Sequence, residues 1–219
     1  MNIVKEIVKQ INQIIYCLVE TGICDKFNSP SVQKSGKQTI ISWSGYTDLS
    51  ICLKNVDYDV IYDELNNNNQ FSLKLVDGML IHLLYTIEDD VIVSHRLASF
   101  PSRKLELFEN DPEMYETDCI YSDIISKSVV SFPIRFDYNR NQIPNHPRSH
   151  LTLGQFKNCR IPVYGPLCPN VFMNFILQNF YNSFFMQNIG DKFKNSIINE
   201  LTITSQETEC LHINICQSS

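Results

Sequence analysis

The phrase HPRSHLTLG, His146 to Gly154, sets two imidazoles four residues apart with a proline, a guanidinium and a hydroxyl between them. Imidazole changes charge near neutral pH and serves as general acid, general base or metal ligand. Guanidinium forks onto phosphate or carboxylate. On a helix this spacing would place both imidazoles on one face, as in the HExxH metal sites. The residue types favour a strand instead, because Leu151-Thr152-Leu153 alternates and then breaks at Gly154. On a strand the two histidines share a face but stand about 13 Å apart, at roughly 3.3 Å per residue, which is too far for one metal ion. A metal site would need a turn at Pro147, with Cys159 or Cys168 completing the shell. The spacing His-x3-His-x8-Cys-x8-Cys matches no zinc ribbon, so the expectation is no bound metal and no cofactor.

The extended reading predicts a composite polar face. His146, Arg148, His150 and Thr152 fall on one side of the chain, and Pro147, Ser149, Leu151 and Leu153 on the other. In the run before it, Arg135 and Asp137 share a face opposite Ile134, Phe136 and Tyr138. If residues 139–145 form a hairpin loop, the two polar faces lie side by side. Asp137 then orients a histidine for acid–base work, and Arg135, Arg148 and Arg160 are available for an anion. The alternative is a solvated, salt-bridged sheet face. His95 and Arg96 point to opposite faces of a third strand, so at most one of them joins the cluster. A Cys159–His150 nucleophile pair lacks an identifiable third group to orient it.

The elements that must position these residues follow from periodicity. Ile3, Ile7, Ile11, Ile14 and Leu18 recur with helical spacing over residues 2–20, with Gly22 as the stop. Lys5, Glu6 and Lys9 interrupt the apolar run, which argues against a secretory signal or a membrane span and for a cytoplasmic protein. A polar loop holding Pro30 and Gly36 comes next. QTIISWSGYTDLSICLKN reads as two short strands turning near Gly45, and residues 57–66 read as a helix. FSLKLVDGMLIHLLYTI reads as a hairpin with a type I′ turn at Asp77-Gly78, which places Leu73 opposite His82. VIVSHRLASFP returns after Glu88-Asp89-Asp90, residues 128–138 give a further strand, and a last strand spans about 209–216. Phe172, Ile176, Phe180 and Phe184 line one stripe of a helix over about 170–187, which is most simply a core face.

The predicted fold is α+β: a single domain over 1–219, with an antiparallel meander of six to eight strands over about 38–155 covered by N-terminal and C-terminal helices. The 219 residues, 43% hydrophobic and 19% charged, are enough to bury a real core. Eight cysteines sit in apolar strings without a CxxC pair, as buried thiols of a reducing compartment do. Seven glycines form no phosphate loop.

Charge is unevenly distributed. Residues 124–190 hold four of the six arginines and one acid, Asp137, in a chain of net charge -6. Leu105 to Ser126 holds seven acids and no Lys or Arg. Either the two segments neutralise one another or the basic one meets a phosphate-bearing partner. Strong nonspecific nucleic-acid binding is not expected at this net charge.

FSLKLVDGMLIHLLYTI, SHRLASFPS, YSDIISKSVVSFPIRFDYN, HPRSHLTLG and CRIPVYGPLCP, followed by an aromatic helix, together resemble an uncharacterised bacterial family, domain of unknown function 2290. The resemblance covers nearly the whole chain and implies a small partner of a helicase in phage-defence cassettes. It carries over no catalytic residues. The strings themselves nominate Arg96, Arg135, Asp137, His146, Ser149, His150 and Arg160. The leading expectation is an accessory or effector protein whose basic face meets nucleic acid or the helicase. The alternatives are a metal-independent nuclease using His146 and His150, and an interaction module without catalysis.

Overall fold

The computed structural model describes residues 2–47, 50–53, 56–103, 132–142, 146–156, 158–193 and 201–214. The acidic segment Leu105 to Ser126 and the first part of the strand expected over 128–138 lie outside the described residues. The fold is α+β, with an open antiparallel sheet carrying helices from both ends of the chain.

Among the described residues nine strands form the sheet: β1 Cys24–Phe27, β2 Pro30–Ser35, β3 Gln38–Trp43, β4 Leu73–Leu75, β5 Leu80–Glu88, β6 Val91–Phe100, β7 Ile134–Asn139, β8 Ser149–Leu153 and β9 Ile161–Pro162. Their order is β1-β4-β5-β6-β7-β8-β9, and β3 with its partner β2 joins the same edge of β5 beyond β4. The sheet starts earlier than expected: Pro30 and the residues after it form a hairpin with β3, turning at Gly36, and not a loop. Ser50–Leu53 is a 3-10 turn and not a strand.

The type I′ turn lies at the other end of β5 from where it was expected. Asp89 and Asp90 both have positive φ, 50° and 60°, and close the two-residue loop between Glu88 and Val91. At Asp77-Gly78 the loop is three residues long. The Leu75 N–H donates to Met79 O at 2.9 Å, and only Gly78 has positive φ, at 85°. The longer loop moves the register by one residue, so Leu73 faces Ile81 instead of His82. A Cβ at Gly78 would stand 2.7 Å from the Ser102 Cβ and 2.9 Å from the Tyr62 hydroxyl, which leaves no room for a side chain.

One face of the sheet carries the main core. Helix α1, Ile3–Glu20, is capped by the Asn2 side chain and buries Ile7, Ile11, Ile14 and Leu18 against that face. Helix α3, Pro169–Phe180, starts on a proline and buries Phe172, Met173, Ile176 and Leu177 beside them. Each such side chain stabilises the fold by about 1.5–3 kcal/mol. The expected run to residue 187 is broken at Tyr181, whose backbone leaves the helix while its hydroxyl donates to Asp77 Oδ2 at 2.5 Å. A helical turn, Asn182–Phe184, and a π-helical segment, Phe185–Ile189, follow. Of the final strand expected over about 209–216, the described part, up to residue 214, makes a single parallel bridge between Val163 and Ile213.

The other face carries a smaller core. Helix α2, Tyr58–Asn67, packs Tyr58, Ile61, Tyr62 and Leu65 with Trp43, Phe71, Leu80, Ala98 and Phe100. His82 is fully buried between the rings of Trp43 and Phe100, at centroid distances of 4.9 and 4.8 Å. This second core covers only one end of its face. Among the described residues the rest of that face is largely polar and uncovered.

Candidate functional site

Alternation along five adjacent strands builds the open end. The antiparallel register sets Leu84, Arg96, Asp137, His150 and Pro162 in one row across β5 to β9. The next row is His82, Ala98, Arg135 and Thr152. Because side chains alternate, the residues between them turn to the main core: His95, Phe136, Tyr138 and Leu151 are all buried there. Leu84, Arg96, Asp137, His150, Arg135 and Thr152 from these rows form the floor of a cleft of about 600 Å³, walled by Cys52, Gln142, His146, Gln155, Phe156 and Arg160, while His82 and Ala98 are buried in the second core.

Asp137 is the floor's anchor. Arg96 Nε donates to its Oδ1 at 3.1 Å, and Arg135 Nε lies 3.6 Å from its Oδ2. Burial works to raise the carboxyl's pKa, but Arg96, Arg135 and His150 outweigh it, and the net direction is down. It is therefore a carboxylate at neutral pH. Two guanidiniums against one carboxylate leave the trio with a positive surplus, and exposed Arg160 adds to it. Such a floor favours an anion.

The two histidines meet above that floor. His146 precedes β8 and does not lie on it, so the extended 13 Å separation expected for them does not apply. The chain turns at Pro147, and the rings stand edge to face with centroids 4.7 Å apart. Nδ1 of each lies 3.1 Å from the Pro147 carbonyl oxygen. A carbonyl only accepts, so both Nδ1 atoms carry the hydrogen, and Nε2 of a neutral ring is left as a base. Burial, assisted by His146 and Arg160, lowers the pKa of His150 against the opposing pull of Asp137 and the Pro147 bond, and keeps this ring neutral. Asp137 does not orient either imidazole as expected. It is taken by the arginines, and the Pro147 carbonyl sets the tautomer in its place.

The remaining expected residues divide. Arg96, Arg135 and Arg160 line the cleft with Asp137, His146 and His150. Arg148 lies one residue before β8 begins; it is exposed and does not line the cleft, so it is not on the His150 face as expected. Ser149 is on the core side, where its hydroxyl donates to Gly165 O at 2.8 Å. His95 lies on the face opposite Arg96: it accepts from the Leu167 N–H at 3.0 Å and donates to Phe136 O.

Cys159 and Cys168 do not complete a metal shell with the histidines. The Cys159 thiol accepts from the Leu153 N–H, and Cys168 is buried at the start of α3. Among the described residues no three His, Cys, Asp or Glu side chains are grouped to hold a metal ion. Likewise among them, no helix is long and apolar enough to cross a membrane.

Sequence reasoning missed Cys52, Gln142, Gln155 and Phe156 as lining residues. Phe156 had one signal: Gly154 ends β8 with φ +65°, which turns the chain back over the cleft.

The family model described as uncharacterized conserved protein (DUF2290) matches residues 23–215. Among curated proteins and solved structures, none matches the chain.

Proposed function

The chain belongs to the family of uncharacterized conserved proteins DUF2290, and we propose that it is a cytoplasmic accessory or effector component of a bacterial phage-defence system that works with a helicase and contacts nucleic acid through the His–Arg cleft. One observation carries the reading: among the described residues, Arg96, Arg135 and Arg160 converge on one cleft whose acidic lining is Asp137 alone. A cationic surplus held on a rigid sheet is what a phosphate in a nucleic-acid backbone requires. The acidic remainder of the chain confines that attraction to the cleft and keeps general affinity for nucleic acid low.

The test is binding of labelled single-stranded and duplex nucleic acid, with and without the helicase, across a salt series. Arg160→Gln should weaken binding and reduce the salt slope by about 1, the loss of one phosphate contact. Unchanged affinity and slope would overturn the assignment. In cells, the same variant should lose protection against phage when expressed beside the helicase.

A second reading is favoured by the shared Pro147 carbonyl. It fixes two imidazoles with Nε2 free to transfer protons, beside guanidiniums that would stabilise the charge of a phosphorane. In this reading the protein cleaves phosphodiesters without a metal. Cleavage should resist a chelator and vanish in the His146→Ala, His150→Ala double variant. Cleavage that persists in that variant would remove both histidines from the mechanism.

A further inference from the structure

We infer that the cleft takes a single-stranded nucleic acid and that Phe156 stacks on the base adjoining the bound phosphate. The inference rests on the nucleic-acid reading above and adds to it the form of the strand and a residue that senses it.

Phe156 is 74% exposed, although burying such a ring normally stabilises a fold. It stands on the wall of the cleft with Gln155 and Arg160, and is not isolated on the outer surface. Its placement is built in. A Cβ at Gly154 would lie 3.3 Å from two carbons of the Phe156 ring, so the ring rests on bare glycine backbone. That backbone is itself fixed: Gly154 has φ +65°, and its N–H donates to Pro133 O at 2.7 Å. The glycine of HPRSHLTLG thus serves two ends, the left-handed turn and a flat seat for the ring.

A seated, exposed aromatic ring next to cations is the arrangement by which proteins hold unpaired bases, since every base presents a π-face and the backbone phosphate follows the positive charge. In a duplex those faces are already stacked on neighbouring pairs. Phe156 would then find no partner, which is why the geometry selects a single strand.

The test uses the full chain, with fluorescein-labelled 12-mers of oligothymidylate and oligouridylate and a DNA duplex of equal length. Phe156→Ala should weaken both single strands about tenfold or more, within the usual effect of removing a stacking ring, and leave the duplex unchanged. Phe156→Trp should keep the affinity, and its emission should be quenched on binding. The native Trp43 is fully buried and supplies the baseline for subtraction. Single strands that bind Phe156→Ala as tightly as the native chain, or indole emission of the Phe156→Trp variant unmoved at saturation, would overturn the proposal. If Arg160→Gln still weakens every probe in that case, the phosphate reading survives and stacking alone fails. If no probe binds with or without the helicase, both readings fall and the ring faces a protein.

Discussion

His146 and His150 donate from Nδ1 to one oxygen, the Pro147 carbonyl, at 3.1 Å each, and their rings stand edge to face 4.7 Å apart. One backbone atom therefore sets the tautomer of both imidazoles. The two ring nitrogens of His150 have different jobs, and substitutions can separate them. The amide of His150→Asn retains a donor near the Nδ1 position and removes Nε2. It should keep stability within about 1 kcal/mol, the net worth of one hydrogen bond. If the ring transfers protons, the same variant should lose cleavage by about 10²–10⁴-fold. Thermal unfolding alongside cleavage of labelled RNA and DNA checks this; a variant that is stable and fully active would make His150 a structural residue.

Asp137 holds Arg96 and Arg135, so removing its charge should push stability and binding in opposite directions. Asp137→Asn leaves two partly buried guanidiniums without a counter-charge, at a cost of about 1–3 kcal/mol. It also makes the cleft more positive, so phosphate-bearing ligands should bind more tightly and with a steeper salt dependence. The folded Asp137 pKa lies below its usual 3.8. Its contribution to stability is therefore present above that value and lost as pH falls through the depressed one. Denaturation and binding isotherms on one preparation check both signs; weaker binding in Asp137→Asn would mean that the carboxylate itself contacts the ligand.

The two faces of β6 and β7 were readable from the sequence because a period of two needs no knowledge of partners: Arg96 against His95, and Arg135 and Asp137 against Ile134 and Phe136, fall where alternation puts them. Three things were not readable, each for a physical reason. The register at Leu73 depended on a loop one residue longer than an Asp-Gly pair usually closes, because the Asp77 carboxylate is engaged by Met79 N–H and the Tyr181 hydroxyl. The pairing of His146 with His150 depended on where β8 begins, and strand ends carry the weakest sequence signal. Strand β2 is partly to fully exposed along its length, so it shows no apolar alternation and resembles a polar loop.

Tyr181 and Asp77 tie the end of α3 to the β4–β5 loop. Burial first, then the adjacent carboxylate and the hydrogen bond to it, raises the tyrosine pKa well above its usual value, so the hydroxyl stays a donor. Tyr181→Phe removes the donor and leaves the half-buried Asp77 Oδ2 without it. Burial raises the Asp77 pKa, so a loss of about 0.5–3 kcal/mol is expected, the range that spans hydrogen bonds to neutral and to charged groups. Asp77→Asn in the Tyr181→Phe background should cost little more, since the interaction is already gone. A chemical-denaturation cycle over the four proteins measures the coupling, and additive losses would show that the two side chains act independently.

His82 and His95 make stability depend on pH near and below neutrality. Burial, with Arg96 adding to it, lowers the His82 pKa to about 3; burial against the opposing pull of Asp137 lowers that of His95 to about 4. The unfolded chain takes up these protons near pH 6.5, the ordinary histidine value. Between that pH and the folded values the unfolded state binds more protons, so stability falls as pH falls. At one pKa unit per about 1.4 kcal/mol, His95 alone accounts for a loss on the order of 3 kcal/mol by pH 4. Stability measured from pH 8 to pH 4 should be level above about pH 7 and then decline. His82→Phe, which keeps an aromatic ring between Trp43 and Phe100, should flatten part of that decline without touching the cleft. An unchanged slope in this variant would show that His82 is not neutral in the folded protein.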